Sequence, residues 1–186
     1  GFRFVRLEAV DGDVTVYTVK AVLDKRDLER IGTFICNDER INKVWDTSVY
    51  TVELNMHEIL MEGVKRDRLV WIGDMHPEVS NVKAVFGKDE CVPKSLDFVR
   101  DTTPKGEWMN NTATYSMWWI INHYDWYMQN GDFDYLMRQT EYIKELTDNI
   151  IKWLKDDNKI EEEIFVDWSS RADVKSALIG VYAVGY

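Results

Sequence analysis

Residues 112–128, "TATYSMWWIINHYDWYM", are apolar nearly all the way round a helix of 3.6 residues per turn. Such a helix has no face to offer water, so it is buried on most sides, and the rest of the chain must supply elements to cover it. Asn130-Gly131 stops this helix. Asp132 then caps a long amphipathic one, with Leu136, Ile143, Leu146, Ile150 and Leu154 along one stripe. A wholly apolar helix followed by an amphipathic one predicts two concentric helical layers, an inner and an outer, rather than a simple bundle.

Other helices are legible on both sides. Asn37 and Asp38 can cap a helix running to about His57, with Ile41, Val44, Trp45, Ser48, Val49 and Val52 on one face. Pro77 suits the first position of a helix that places Glu78 in its first turn and ends at Gly87. Pro93 opens a short helix through "KSLDFVRD", and residues 172–186 form a last one. Before about Arg30 the pattern differs. "FRFVRLEAV" alternates, "DVTVYTVKAVL" is rich in β-branched residues, and Asp11-Gly12-Asp13 between them is a hairpin turn. The expected fold class is therefore mainly α, preceded by β-strands. "KDDNKIEEE" reads as a charged loop and "IFVDW" as a short extended piece. The chain starts without Met and ends on apolar "KSALIGVYAVGY", which reads as a fragment of a longer protein.

Composition narrows the function. With 23 basic against 33 acidic residues, a net charge of −10 and no basic stripe, a nucleic-acid partner is not expected. No apolar run approaches the roughly 20 residues that span a bilayer, so no membrane partner is expected either. Cys36 and Cys91 have neither a metal-ligand spacing nor a disulfide pattern. The chain carries eight Trp, nine Tyr and seven Phe, concentrated between Trp108 and Tyr142. Trp118, Trp119, Tyr124, Trp126 and Tyr127 are expected to be mostly core, and His123 a core histidine with its hydrogen bonds met.

The densest chemistry is in residues 62–78, "EGVKRDRLVWIGDMHPE". One reading is a solvated turn with pairs such as Glu62–Arg66, worth a few tenths of a kcal/mol each. The other is a site. Leu69, Val70, Trp71 and Ile72 lie in the middle, so the segment is expected to pass through the protein, and charges flanking a buried run must be paired or functional. His76 is expected to make local hydrogen bonds at a helix start. Asn110-Asn111-Thr112 fits a glycosylation acceptor pattern. Glu62, Asp67 and Asp74 could share a divalent cation, but the interleaved arginines argue against it, and neither metal nor other cofactor is expected.

"EGVKRDRLVWIGD" resembles, over thirteen positions, the signature of the family 78 glycoside hydrolases, the α-L-rhamnosidases: an acid, a short spacer, Arg-acid-Arg, then Trp-x-Gly-Asp. "GFRFVRLEA" is similar to the strand that closes that family's β-sandwich, "CNDERINKVWDTSVYTVELN" to its first toroid helix, and "FVDW" to a later Asp-Trp turn. The resemblance implies residues 1–30 as the end of a β-sandwich domain and linker. It implies residues 31–186 as the N-terminal part of a catalytic (α/α)6 toroid that removes terminal α-L-rhamnose with inversion.

Inversion needs a protonated carboxyl for the leaving oxygen and, roughly 6.5–9.5 Å away, a carboxylate that activates water. By resemblance, Asp67 stands at the general acid and Glu62 and Asp74 at positions that grip sugar hydroxyls. Arg66 would orient a neighbouring carboxylate, and Trp71, with Trp168 as a further candidate, would wall the pocket against the 6-deoxy sugar's methyl group. The carboxyls of Glu62, Asp67 and Asp74 should converge on one concavity with Trp71 at its edge. Glu62 and Asp67 exchange the family's usual chain lengths, each by one methylene, about 1.5 Å. The family's general base, a downstream Glu, is expected outside this chain, which alone is expected to be inactive. The rival function is a non-catalytic carbohydrate-binding helical module. The partner in either case is a rhamnose-containing carbohydrate.

Overall fold

The computed structural model describes residues 2–156, 164–168 and 173–186. Six α-helices form among them: α1 (Glu39–Asn55), α2 (Met75–Val85), α3 (Cys91–Thr102), α4 (Ala113–Asn130), α5 (Phe133–Leu154) and α6 (Val174–Gly185). A single 3-10 turn, Met109–Asn111, precedes α4. Local chemistry sets the ends. Asp38 accepts the Arg40 N–H, Asp132 the Tyr135 N–H, and Asp173 those of Lys175 and Ser176, while Gly131 closes α4 in the left-handed conformation. α2 begins two residues ahead of Pro77, because the Trp71 carbonyl accepts both the Asp74 and the Met75 N–H.

The all-round apolar segment is the hub. α4 packs against α2 on one side and α6 on the other, with α5 laid along it. α2, α4 and α6 are thus inner neighbours, and α1 and α5 lie outside them against α2 and against α4 and α6 respectively. This is the alternation of part of an (α/α)6 toroid. Trp119 and Trp126 of α4 are fully buried, and the Trp119 indole donates to the Leu96 carbonyl at 2.9 Å. Burial of two tryptophans at 150–250 Å² each gives α4 much of its hold on the core. Trp118 and Tyr127 are half-buried and Tyr124 is exposed. His123 is buried, with Nδ1 donating to the Trp119 carbonyl at 2.8 Å and its ring stacked on Tyr135, but Nε2 meets no partner. On α5 the inward stripe is Tyr135, Gln139, Leu146, Ile150 and Trp153. Leu136, Ile143 and Leu154 flank it half-buried. On α1, Trp45, Val49 and Val52 face inward, while Ile41 and Val44 stay exposed.

The expected N-terminal strands do not form among the described residues. Phe4 is 90% and Val10 94% exposed, so no described residue covers the apolar face that a hairpin here would present. A two-stranded ribbon without a third strand or a covering layer is marginal in water. Further along, charge pairs tie the segment to the helices. Arg26 grips Asp89 through two bonds of 2.7 and 3.0 Å. Lys25 and Arg30 both reach the buried Glu53, at 3.0 and 2.8 Å. Ile31 and Gly32 then donate to the Val85 carbonyl. Cys36 and Cys91 are free thiols, Cys91 buried. The "EEE" loop at 161–163 and Ala172 lie outside the described residues. No described helix is long and apolar enough to cross a membrane.

Candidate functional site

The segment between α1 and α2 folds back on itself. The Glu62 N–H donates to the Leu69 carbonyl at 2.9 Å, and the Gly63 carbonyl accepts from Arg66 and Arg68. The turn needs a left-handed residue at each end, Gly63 with φ 61° and Arg68 with φ 53°. Glycine at 63 also leaves room for the Asp67 side chain, whose Cβ would lie 3.3 Å from an added methyl. The loop is moored to α1, since Asn55 accepts the Val64 N–H through its side chain and the Met61 N–H through its carbonyl. Leu69 is exposed, but Val70 and Ile72 are buried, so the segment does enter the protein.

Asn110 fixes the other side. Its amide nitrogen donates to the Val70 carbonyl at 3.1 Å and its oxygen accepts the Ile72 N–H at 3.0 Å, as a neighbouring strand would. The same side chain therefore belongs to the core framework, and its nitrogen is already engaged, which corrects the glycosylation reading of Asn110-Asn111-Thr112. Asn110 and Asn111 both adopt positive φ, 51° and 58°, a conformation asparagine tolerates best after glycine.

These elements enclose a cavity of about 480 Å³. It falls within the roughly 300–1,000 Å³ of small-molecule sites. Glu62, Arg66, Asp67, Trp71, Asp74 and Trp168 all line it, so the six residues singled out in the sequence are brought together. Sequence reasoning missed Tyr115, Asn110 and Phe165 on its wall. The rings of Trp71 and Tyr115 meet edge to face at 6.4 Å. Tyr115 and Phe165 lie 6.0 Å apart, Phe165 and Trp168 5.8 Å, a continuous aromatic wall. The Thr114 hydroxyl holds the last of these segments by donating to the Phe165 carbonyl at 2.7 Å. Gly73 is required by proximity, because a methyl there would collide with the Tyr115 ring. The close approach lets the Tyr115 hydroxyl donate to Asp74 at 3.0 Å.

The acids sit in unlike surroundings. Arg66 grips Asp67 in a two-point ion pair, one arm at 2.8 Å, and the Trp71 side chain adds a donor. The Arg66 pairing holds Asp67 below the usual carboxylate range. Burial, then the nearby Asp74 and Asp67, push Glu62 up. Glu78, one turn beyond Asp74 on the same face of α2, is raised to about 8, first by burial and then by Glu62 and Asp74. Its i, i+4 relation to Asp74 was the available sign. His76 bonds not locally but across to Asp125 of α4 at 2.8 Å, with its ring against Trp118. Among the described residues, no group of three His, Cys, Asp or Glu is arranged to hold a metal ion.

Residues 29–178 match the family described as bacterial alpha-L-rhamnosidase 6 hairpin glycosidase domain. The chain belongs to that family. An alpha-L-rhamnosidase of Formosa agariphila is 24% identical over 189 residues, an alignment covering 90% of this chain and 20% of that protein. The chain thus spans about a fifth of the length of that relative. Within the six-hairpin glycosidase domain, the cavity lies where inner helices begin: Asp74 stands at the start of α2, and Thr112 and Tyr115 at the start of α4. Main-chain N–H groups at such ends favour acceptor-rich and anionic partners, which helps several carboxylates share one small space.

Proposed function

We propose that this chain carries the proton-donating side of the active site of an inverting glycoside hydrolase that removes terminal α-L-rhamnose. The observation that supports the reading most is the gathering of Glu62, Asp67 and Asp74 beside an aromatic wall in one sugar-sized cavity. Carboxylates accept hydrogen bonds from ring hydroxyls, and the flat faces of Trp71 and Trp168 suit the apolar edge and methyl group of a 6-deoxy sugar. By resemblance the acid's role falls to Asp67 and sugar binding to Glu62, Arg66, Trp71, Asp74 and Trp168. The base is a carboxylate further along the protein, so this chain alone is expected to be inactive. Residues 1–30 are assigned to the end of a preceding β-sandwich domain and its linker, and 31–186 to the first part of the toroid. The partner is a rhamnose-containing carbohydrate.

The test uses the full-length protein carrying this chain, with a nitrophenyl α-L-rhamnoside. Hydrolysis followed by NMR should show β-rhamnose as the first-formed sugar. α-Rhamnose appearing first would refute inversion. Sugar binding without turnover would favour the non-catalytic module.

A further inference from the structure

We propose that the hollow next to the cavity described above, between the site segment and the loop that leads into α4, is a second subsite, which takes an apolar ring carried by the leaving group. The proposal rests on the hydrolase reading above and concerns the class of substrate that the site selects.

The hollow has a volume of about 320 Å³. Its walls come from three places: Leu69 and Val70 of the site segment, Phe98 and Val99 near the end of α3, and Pro104 and Trp108 of the loop that follows. Leu69 stays 46% and Phe98 41% exposed, so two large apolar side chains border one opening without being covered by any described residue. Apolar surface left against water in a concave place is where apolar ligands bind, driven by the area that both sides remove from solvent. The wall is firm behind that surface. Val70 and Val99 are buried, and the Trp108 ring packs edge to face on Trp153 at 5.9 Å. A hollow already formed needs little ordering when it is filled.

Asn110 and Asn111 line both the hollow and the first cavity, so the two spaces adjoin across one ridge. The site segment runs along both as well, with Leu69 and Val70 at the hollow and Trp71 at the cavity. A glycoside held by its sugar in the cavity must lead its other half out, and the ridge is the step between. Asn110 is committed to the main chain of Val70 and Ile72. Asn111 is exposed at φ 58°, and its N–H donates to the Trp108 carbonyl at 2.9 Å, but among the described residues its side chain takes no hydrogen bond. Left-handed backbone at a residue other than glycine is costly and concentrates at ligand sites. Here it leaves an amide free on the ridge, where the sugar and the ring of one ligand would join.

The chemistry of the hollow separates a ring from a second sugar. In the cavity the carboxylates of Glu62, Asp67 and Asp74 stand ready to accept from hydroxyls. Around the hollow the charged lining residue is the exposed Glu107. The Thr102 and Thr103 hydroxyls are already used, donating at 2.7 Å to the carbonyls of Phe98 and Val99 respectively. A sugar would find few donors there, and an anion would meet a carboxylate in place of a cation. An apolar ring needs neither.

The experiment uses the full-length protein carrying this chain, with methyl and 2-phenylethyl α-L-rhamnosides. The two leaving alcohols are alike in acidity, so a difference between them reports the ring and not proton transfer. The phenylethyl glycoside should have the higher kcat/KM, roughly 10–100-fold, as for an apolar group filling a fitted pocket. Phe98→Ala and Leu69→Ala should each bring the ratio of the two values close to one; a general defect would lower both and keep the ratio. A ratio near one in the unsubstituted protein, or one that neither substitution changes, overturns the proposal. So does a loss confined to a rhamnoside whose leaving group is a sugar, since the hollow would then be a sugar subsite. Sulfur-linked analogues of the two glycosides resist hydrolysis and give a reading without turnover, by calorimetric titration. Tighter binding of the phenylethyl form, weakened by Phe98→Ala, supports the subsite, and equal binding of the two forms overturns it. No hydrolysis of either oxygen-linked glycoside would overturn the hydrolase reading alone, while the titration still decides what the hollow takes.

Discussion

Replacing Asn110 with alanine tests whether one side chain holds the floor of the cavity. Its amide makes two bonds to the main chain of the site segment, to the Val70 carbonyl and the Ile72 N–H. Both of those residues are buried, so no solvent takes over the freed groups. Each buried polar group left without a partner costs roughly 1–3 kcal/mol. Asn110 also sits at φ 51°, where alanine is worse by roughly 1 kcal/mol. The sum is about 3–7 kcal/mol, which for a domain of this size lowers the unfolding midpoint by roughly 6–28 °C. Far-ultraviolet circular dichroism during heating measures this. Asn110→Gly separates the two causes, since glycine accepts the positive φ but makes no bonds, and it should recover only the smaller part. Asn110→Asp keeps an acceptor for Ile72 and loses the donor to Val70, so it should fall between. A midpoint unchanged by Asn110→Ala, or fully rescued by Asn110→Gly, would refute the claim that the amide braces the segment.

Gly73→Ala should push the Tyr115 ring aside and break its bond to Asp74; kcat/KM of the full-length protein should drop roughly tenfold for one lost hydrogen bond of about 1.4 kcal/mol, and an unchanged value would deny that contact a role. Burial lowers His123 from 6.5 to about 4. The unfolded chain therefore takes up a proton before the folded one does, so stability is full above 6.5 and is lost as pH falls toward 4, by roughly 3 kcal/mol. Denaturant titrations of the wild type and of His123→Phe across that window should diverge, and parallel curves would count against the buried neutral imidazole.

Much of this was legible in local sequence because local forces decide it. Asp38, Asp132 and Gly131 act within one turn of where they stand, and the apolarity of residues 112–128 leaves α4 no position but the centre. What escaped depends on partners distant in sequence. Tyr115 looks like any other member of an aromatic run until Gly73, 42 positions earlier, admits its ring (115 − 73). Asn110 matches a surface pattern, and only the meeting of its amide with Val70 and Ile72 reveals a brace. His76 sits at a helix start that invites a local bond, but Asp125 of α4 competes for it and prevails. The N-terminal residues have strand chemistry and, among the described residues, no strand pairs with them, so their propensity stays unexpressed. The dense charge of 62–78 was visible at once, whereas its division into an ionised Asp67 and a protonation-prone Glu62 follows from which donors arrive in space.

The clasp formed by Lys25, Arg26 and Arg30 has a mechanical consequence. Its acidic partners belong to different parts of the body, Glu53 on α1 and Asp89 just ahead of α3. Glu53 lies two residues before Asn55, the mooring post of the loop that begins the site turn. The segment ahead of α1 and the site loop are therefore fastened to the same turn of α1, and charge reversal at Glu53 would loosen the first fastening without touching a single residue of the cavity.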